Sequence, residues 1–117
     1  MDQHDLIIGG ITQPSASGLY FDVLAPATET PMARVAQAAT DDVSAAVTCA
    51  RRGFESWSAL APREREACLL RAADIVAAEG EGRFLDKLID ESGSVILKAK
   101  GEIAYTIDLL RTAAGEA

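Results

Sequence analysis

Residues 21–47 read FDVLAPATETPMARVAQAATDDVSAAV, and the hydrophobic period changes part-way along them. Tyr20-Phe21-Asp22-Val23-Leu24 has the β-rich composition of a strand, and Ala25-Pro26 closes it. Met32 to Gln37 reads as a further strand, with weak alternation. After Ala39 the apolar residues recur at helical spacing: Val43, Val47, Ala50, Phe54 and Trp57 form one stripe. Thr40 suits the N-cap of that helix, and Asp41 and Asp42 place negative charge at the positive end of its dipole. Strand, turn, strand and helix follow within a few tens of residues, yet the stretch holds no catalytic group, metal-ligand spacing or phosphate loop.

The rest of the chain extends this order. Towards the N-terminus, Leu6-Ile7-Ile8, Gly9-Gly10 and Ile11-Thr12 read as a two-residue hairpin behind a polar lead at residues 1–5. Gln13 to Gly18 is a loop. Towards the C-terminus, residues 58–61 break the first helix and Pro62 suits the first position of the next, with Glu64 in its first turn. Leu69, Ala73 and Val76 give that second helix a buried face, which Leu70 widens, and Gly80 and Gly82 interrupt it. Phe84, Leu85, Leu88 and Ile89 mark a short third helix ending at Ser92-Gly93. Ile96, Ile103, Ile107 and Leu110 mark a fourth that stops near Gly115. The reading is strands and loops over 1–38 and helices over 40–115. Four apolar stripes against a few short strands leave more apolar face than the strands can cover.

Composition bounds the function. A chain of 117 residues is one domain or part of one. Aromatics make up 5% and alanine carries much of the apolar content, which favours closely packed helices. The net charge of −7, with no basic cluster, argues against nucleic acid and anionic lipid as partners. Cys49 and Cys68 have neither C-x-x-C spacing nor a nearby histidine, so neither a disulfide framework nor a zinc site is expected, and a reducing, cytoplasmic setting fits. The first residues lack the pattern of a signal peptide, and no apolar run approaches the ~20 residues that span a bilayer.

Each candidate site has a plainer reading. Gly80-Glu81-Gly82 begins like a dinucleotide fingerprint, but Leu85 holds the third glycine position, no strand precedes it and the glutamates would repel a pyrophosphate; a helix break is expected. Asp2-Gln3-His4-Asp5 could offer copper a square-planar site only if His4 became third in the chain, so a disordered polar tail is expected. Cys49 and Cys68 read as buried or half-buried helical cysteines. Glu64, Glu66, Glu79, Glu81, Asp90 and Glu91, alternating with Arg63, Arg65 and Arg71, read as a solvated, ion-paired face. Phe54 and Trp57 read as core or interface anchors. The expectation is therefore no catalytic, cofactor-binding or metal-binding residue.

In order and spacing, the segments together resemble the N-terminal region of the NAD(P)-dependent aldehyde dehydrogenase superfamily. Phe21-Asp22-Val23 with Pro26-Ala27-Thr28 resembles the family's F-x-V-x-N-P-A-T strand and turn, and Arg34-Val35-Ala36 the strand after it. Asp42-Val43, Ala46-Val47, Ala50-Arg51, Phe54 and Trp57-Ser58 resemble the first helix. Pro62-Arg63-Glu64-Arg65 with Leu69 to Asp74 resembles the second. Glu91-Ser92-Gly93 resembles E-[ST]-G at the end of the third, and Gly101-Glu102-Ile103 with Leu110-Arg111 and Ala113-Ala114 the fourth. Ile7-Ile8-Gly9-Gly10 resembles the opening hairpin. Two positions depart. Ala25 replaces the usual turn Asn, which implies a looser turn, and Ser94 stands where Lys is common, as in aromatic-aldehyde members acting on benzaldehyde, vanillin or salicylaldehyde.

The resemblance implies an α+β piece of an α/β enzyme: a β-hairpin and strands, then four helices that would pack on the Rossmann-like sheet of a full-length enzyme. It implies that residues 1–117 are the N-terminal part of the dinucleotide-binding domain, with the catalytic domain absent. The implied reaction is oxidation of an aldehyde to a carboxylic acid through a cysteine thiohemiacetal, with hydride passing to NAD or NADP, in a homo-oligomeric enzyme. The family's catalytic cysteine, glutamate and asparagine and its dinucleotide turns match no residue here, so the chain alone is expected to be inactive and to bind no cofactor. Two alternatives stay open: a non-catalytic module docking on a full-length relative or other partner, and an unrelated domain whose helices cover one another.

Overall fold

A computed structural model describes residues 1–117. The strands are β1 (Asp2–His4), β2 (Leu6–Ile8), β3 (Ile11–Gln13), β4 (Tyr20–Ala25) and β5 (Thr30–Ala36); the helices are α1 (Thr40–Ala59), α2 (Pro62–Arg83), α3 (Leu85–Ser92) and α4 (Ile96–Gly115). They fall into two units, Met1–Ala59 and Leu60–Ala117.

In the first unit, β2 and β3 form the expected antiparallel hairpin. Gly9 and Gly10 turn it at φ 62° and 79°, positive values that a two-residue primed turn requires. A separate sheet runs β1-β5-β4. β4 lies antiparallel to β5, with Asp22 opposite Arg34 and a register shift at Val23/Leu24. Pro31 faces Leu24 at that shift, beyond the stretch of β5 that β1 covers, so its missing N–H costs no ladder bond to β1. The turn with Ala25 in place of Asn is closed by two bonds, since the Ala25 carbonyl accepts from Thr28 N–H (3.2 Å) and Glu29 N–H (2.8 Å). The polar lead is not a disordered tail. Asp2–His4 pair in parallel with Ala33–Val35, because backbone pairing makes no demand on side-chain polarity.

The start of α1 also differs from expectation. Ala39, not Thr40, is the capping position, for its carbonyl accepts the first helical bond from Val43 N–H. Asp42 supplies the cap by accepting from Ala39 N–H (2.8 Å). The same carboxylate accepts Ala16 N–H at 3.0 Å on both oxygens, which ties the 14–18 loop to the helix and explains why a carboxylate is buried there. Asp42, Ala46, Cys49 and Gly53 share one helical face, and Cys49 Sγ lies 2.6 Å from where a Cβ on Gly9 would sit. The small-residue face of α1 thus meets the hairpin. The stripe of large residues read from the sequence looks outward: Val43, Val47 and Phe54 are 55%, 51% and 68% exposed.

In the second unit, Ala61 has no side-chain acceptor, and the Glu64 carboxylate caps α2 by accepting Ala61 N–H (2.8 Å). The helix runs unbroken through Gly80 and Gly82 to Arg83, so the expected break at Gly80 is absent. Gly80 has a packing reason instead. Ile103 Cγ2 of α4 lies 2.7 Å from where its Cβ would be, while nothing approaches Gly82 within 4 Å. Arg65 donates to the Ala117 carbonyl, and Asp74 and Glu81 pair with Arg111 and Lys100. As α2 advances its partners retreat along α4, so the two helices are antiparallel. Ala73 and Ala99 are completely buried along them, and Leu85 of α3 joins Ala99 and Ile103 in the core with Val76, Leu88, Ile89 and Ile107 against it. Ile96 and Leu70, expected on buried faces, are exposed.

No large side chain is completely buried, and the chain exposes 8251 Å². Two neighbouring glycines test the α2–α4 contact by opposite signs. Gly80→Ala forces a β-branched neighbour to move and costs about 1–3 kcal/mol. Gly82→Ala, in open space, adds about 0.4–1 kcal/mol through the unfolded chain. Urea unfolding of the two variants should shift in opposite directions; a shared direction would refute the close approach.

Candidate functional site

Both cysteines and three of the six candidate carboxylates have structural partners. Cys49 packs its sulfur on the hairpin glycine, and Cys68 Sγ accepts a hydrogen bond from Arg71 Nη2 (3.0 Å). Both cysteines are free and half-buried, the second of the two environments expected for them. Among the carboxylates, Glu64 caps α2, Glu79 pairs with Arg83 (2.9 Å) and Glu81 with Lys100 (3.1 Å). Two of the three arginines expected to serve that face act elsewhere: Arg65 donates to the carbonyls of Leu60 and Ala117, and Arg71 to Cys68. These exposed pairs contribute about 0.2–1 kcal/mol each. No group of three or more His, Cys, Asp or Glu side chains gathers to hold a metal ion, and no helix is long and apolar enough to cross a membrane.

Gly80-Glu81-Gly82 does not fit a dinucleotide. A pyrophosphate binds at free backbone N–H groups on a helix N-terminus. These residues lie in the last turn of α2, at the opposite end from its N-terminus, where the amides are spent within the helix and Gly80 is covered by Ile103.

One polar cluster was not legible in the sequence. Tyr20 Oη donates to Asp5 Oδ1 at 2.5 Å, the Arg34 guanidinium stands 5.4 Å from the Tyr20 ring centre, and Arg34 Nε lies 3.5 Å from Asp22. Asp22 and Arg34 face each other across the β4–β5 ladder, and Tyr20 is two residues along on the same face of β4. Asp5 is the single residue between β1 and β2, so its bond anchors the passage from one sheet to the other. The bond to Asp5 raises the Tyr20 phenol above its ordinary value of 10.0; desolvation and the Asp5 charge add to this, and Arg34 opposes it. Since the protonated phenol is favoured in the fold, its contribution to stability is whole below pH ~10 and is lost as pH rises through the raised value. Asp5→Asn should bring Tyr20 ionisation, followed by tyrosinate absorbance, down towards the ordinary range. An unchanged titration would dismiss the anchor.

What remains is apolar surface. α1 presents Val43, Val47, Phe54 and Trp57, and α4 presents Leu97 and Tyr105 at 80% and 64% exposure. Beside α3 and α4 an open groove of about 670 Å³ is floored by Val76, Leu88 and Ile103, with Lys87, Glu91 and Glu102 at its margin. Covering one large side chain is worth about 1.5–3 kcal/mol, so these faces could hold a partner surface firmly.

The model of the aldehyde dehydrogenase family matches residues 12–117. The chain belongs to the aldehyde dehydrogenase family. It is 36% identical over 109 residues to a vanillin dehydrogenase of Pseudomonas fluorescens, a match that takes in 93% of this chain and 22% of that protein. Among solved structures, an NAD-dependent aldehyde dehydrogenase from Sinorhizobium meliloti superposes with a TM-score of 0.91 at 29% identity, over 98% of this chain and 23% of that one. An NAD-dependent benzaldehyde dehydrogenase from Corynebacterium glutamicum superposes with a TM-score of 0.86 at 30% identity, over 92% and 23%. The chain therefore spans less than a quarter of the length of these relatives, and its strands and four helices form an α+β piece of an aldehyde dehydrogenase fold.

The outward stripe and the core respond differently to substitution. Phe54→Glu, on the exposed face of α1, should change stability by no more than about 0.5 kcal/mol. Ile103→Ala, in the core, should cost about 2–5 kcal/mol. Thermal unfolding of both variants checks this, and a large loss with Phe54→Glu would mean that the α1 stripe is buried in solution.

Proposed function

We propose that this chain forms the front of an NAD(P)-dependent aldehyde dehydrogenase, as the N-terminal part of its dinucleotide-binding domain, and serves as scaffold. The family match over residues 12–117 carries this reading. The outward stripes of α1 and α4 support it, because they are the faces through which a scaffold would meet the sheet of the complete enzyme. The whole enzyme oxidises an aldehyde to a carboxylic acid. An aromatic aldehyde is favoured by the vanillin and benzaldehyde dehydrogenases among the relatives and by Ser94 after Glu91-Ser92-Gly93.

The residues of this chain contribute position rather than chemistry. Cys49 and Cys68 are committed to packing and to Arg71, and the glycines of α2 do not cradle a dinucleotide. Contacts to NAD or NADP and to the aldehyde fall to the remainder of the enzyme, and the isolated chain is inactive. Two free cysteines suit a reducing cytoplasm. The complete enzyme is a homo-oligomer, as its family resemblance implies.

A second reading has one observation in its favour. The same exposed faces would let the chain act as a non-catalytic module that docks on a full-length relative.

A chimera tests the scaffold reading. This chain replaces the matching region of the Pseudomonas fluorescens vanillin dehydrogenase, and NAD reduction is followed with vanillin and with an aliphatic aldehyde. A soluble chimera that oxidises vanillin supports the proposal. A folded chimera without activity, or one that does not assemble, overturns it. The isolated chain mixed with the intact relative separates the second reading, which requires a stable complex on gel filtration.

A further inference from the structure

We draw no further inference here: the strongest candidate, the open apolar groove beside α3 and α4 floored by Val76, Leu88 and Ile103, carries none because nothing in the structure shows what covers it.

Discussion

Ile103 rests where the side chain of residue 80 would otherwise be, and the second unit depends on that contact. A glycine on α2 lets α4 approach closely, and Ala73 and Ala99 are buried along the same two helices. Close approach brings Asp74 and Glu81 within reach of Arg111 and Lys100 at the margins. The ion pairs are exposed and weak, so they follow from the packing rather than cause it. Leu85 completes a core whose small volume is set by the size of these side chains.

The first unit is held by different means. None of its large apolar side chains is buried. A buried carboxylate, Asp42, gathers the amides of Ala16 and Ala39, and a sulfur packs on a glycine between α1 and the hairpin. Backbone amides cost free energy when left unpaired, so a single acceptor with several donors fixes loop and helix together. That arrangement turns the small face of α1 inward and leaves Val43, Val47 and Phe54 in water.

The proposed scaffold role rests on this use of residues. Cys49, Cys68, Glu64, Glu79, Glu81 and Gly80 are spent on caps, close contacts and surface pairs. The apolar stripes are unspent. For a member of the aldehyde dehydrogenase family that spans less than a quarter of its relatives' length, the unspent faces are the physical basis of the scaffold reading.

Much of the local structure was legible in the chain. The Gly9-Gly10 hairpin, the stop at Gly93 and the start at Pro62 are written in backbone preferences that few tertiary contacts override. The order of strands and helices came from the same signals; the family came from the resemblance of the segments to its motifs, and the match over residues 12–117 shows it. Other features were not written there. Polarity said nothing against Asp2–His4 forming a strand, because pairing uses the backbone alone. Gly80 signalled a break, and only the position of Ile103 shows it as a point of contact. Periodicity identified the apolar stripe of α1, but a period fixes which residues share a face and not which way that face turns. The direction was decided by tertiary structure, where Asp42 and Cys49 found partners and the larger side chains did not.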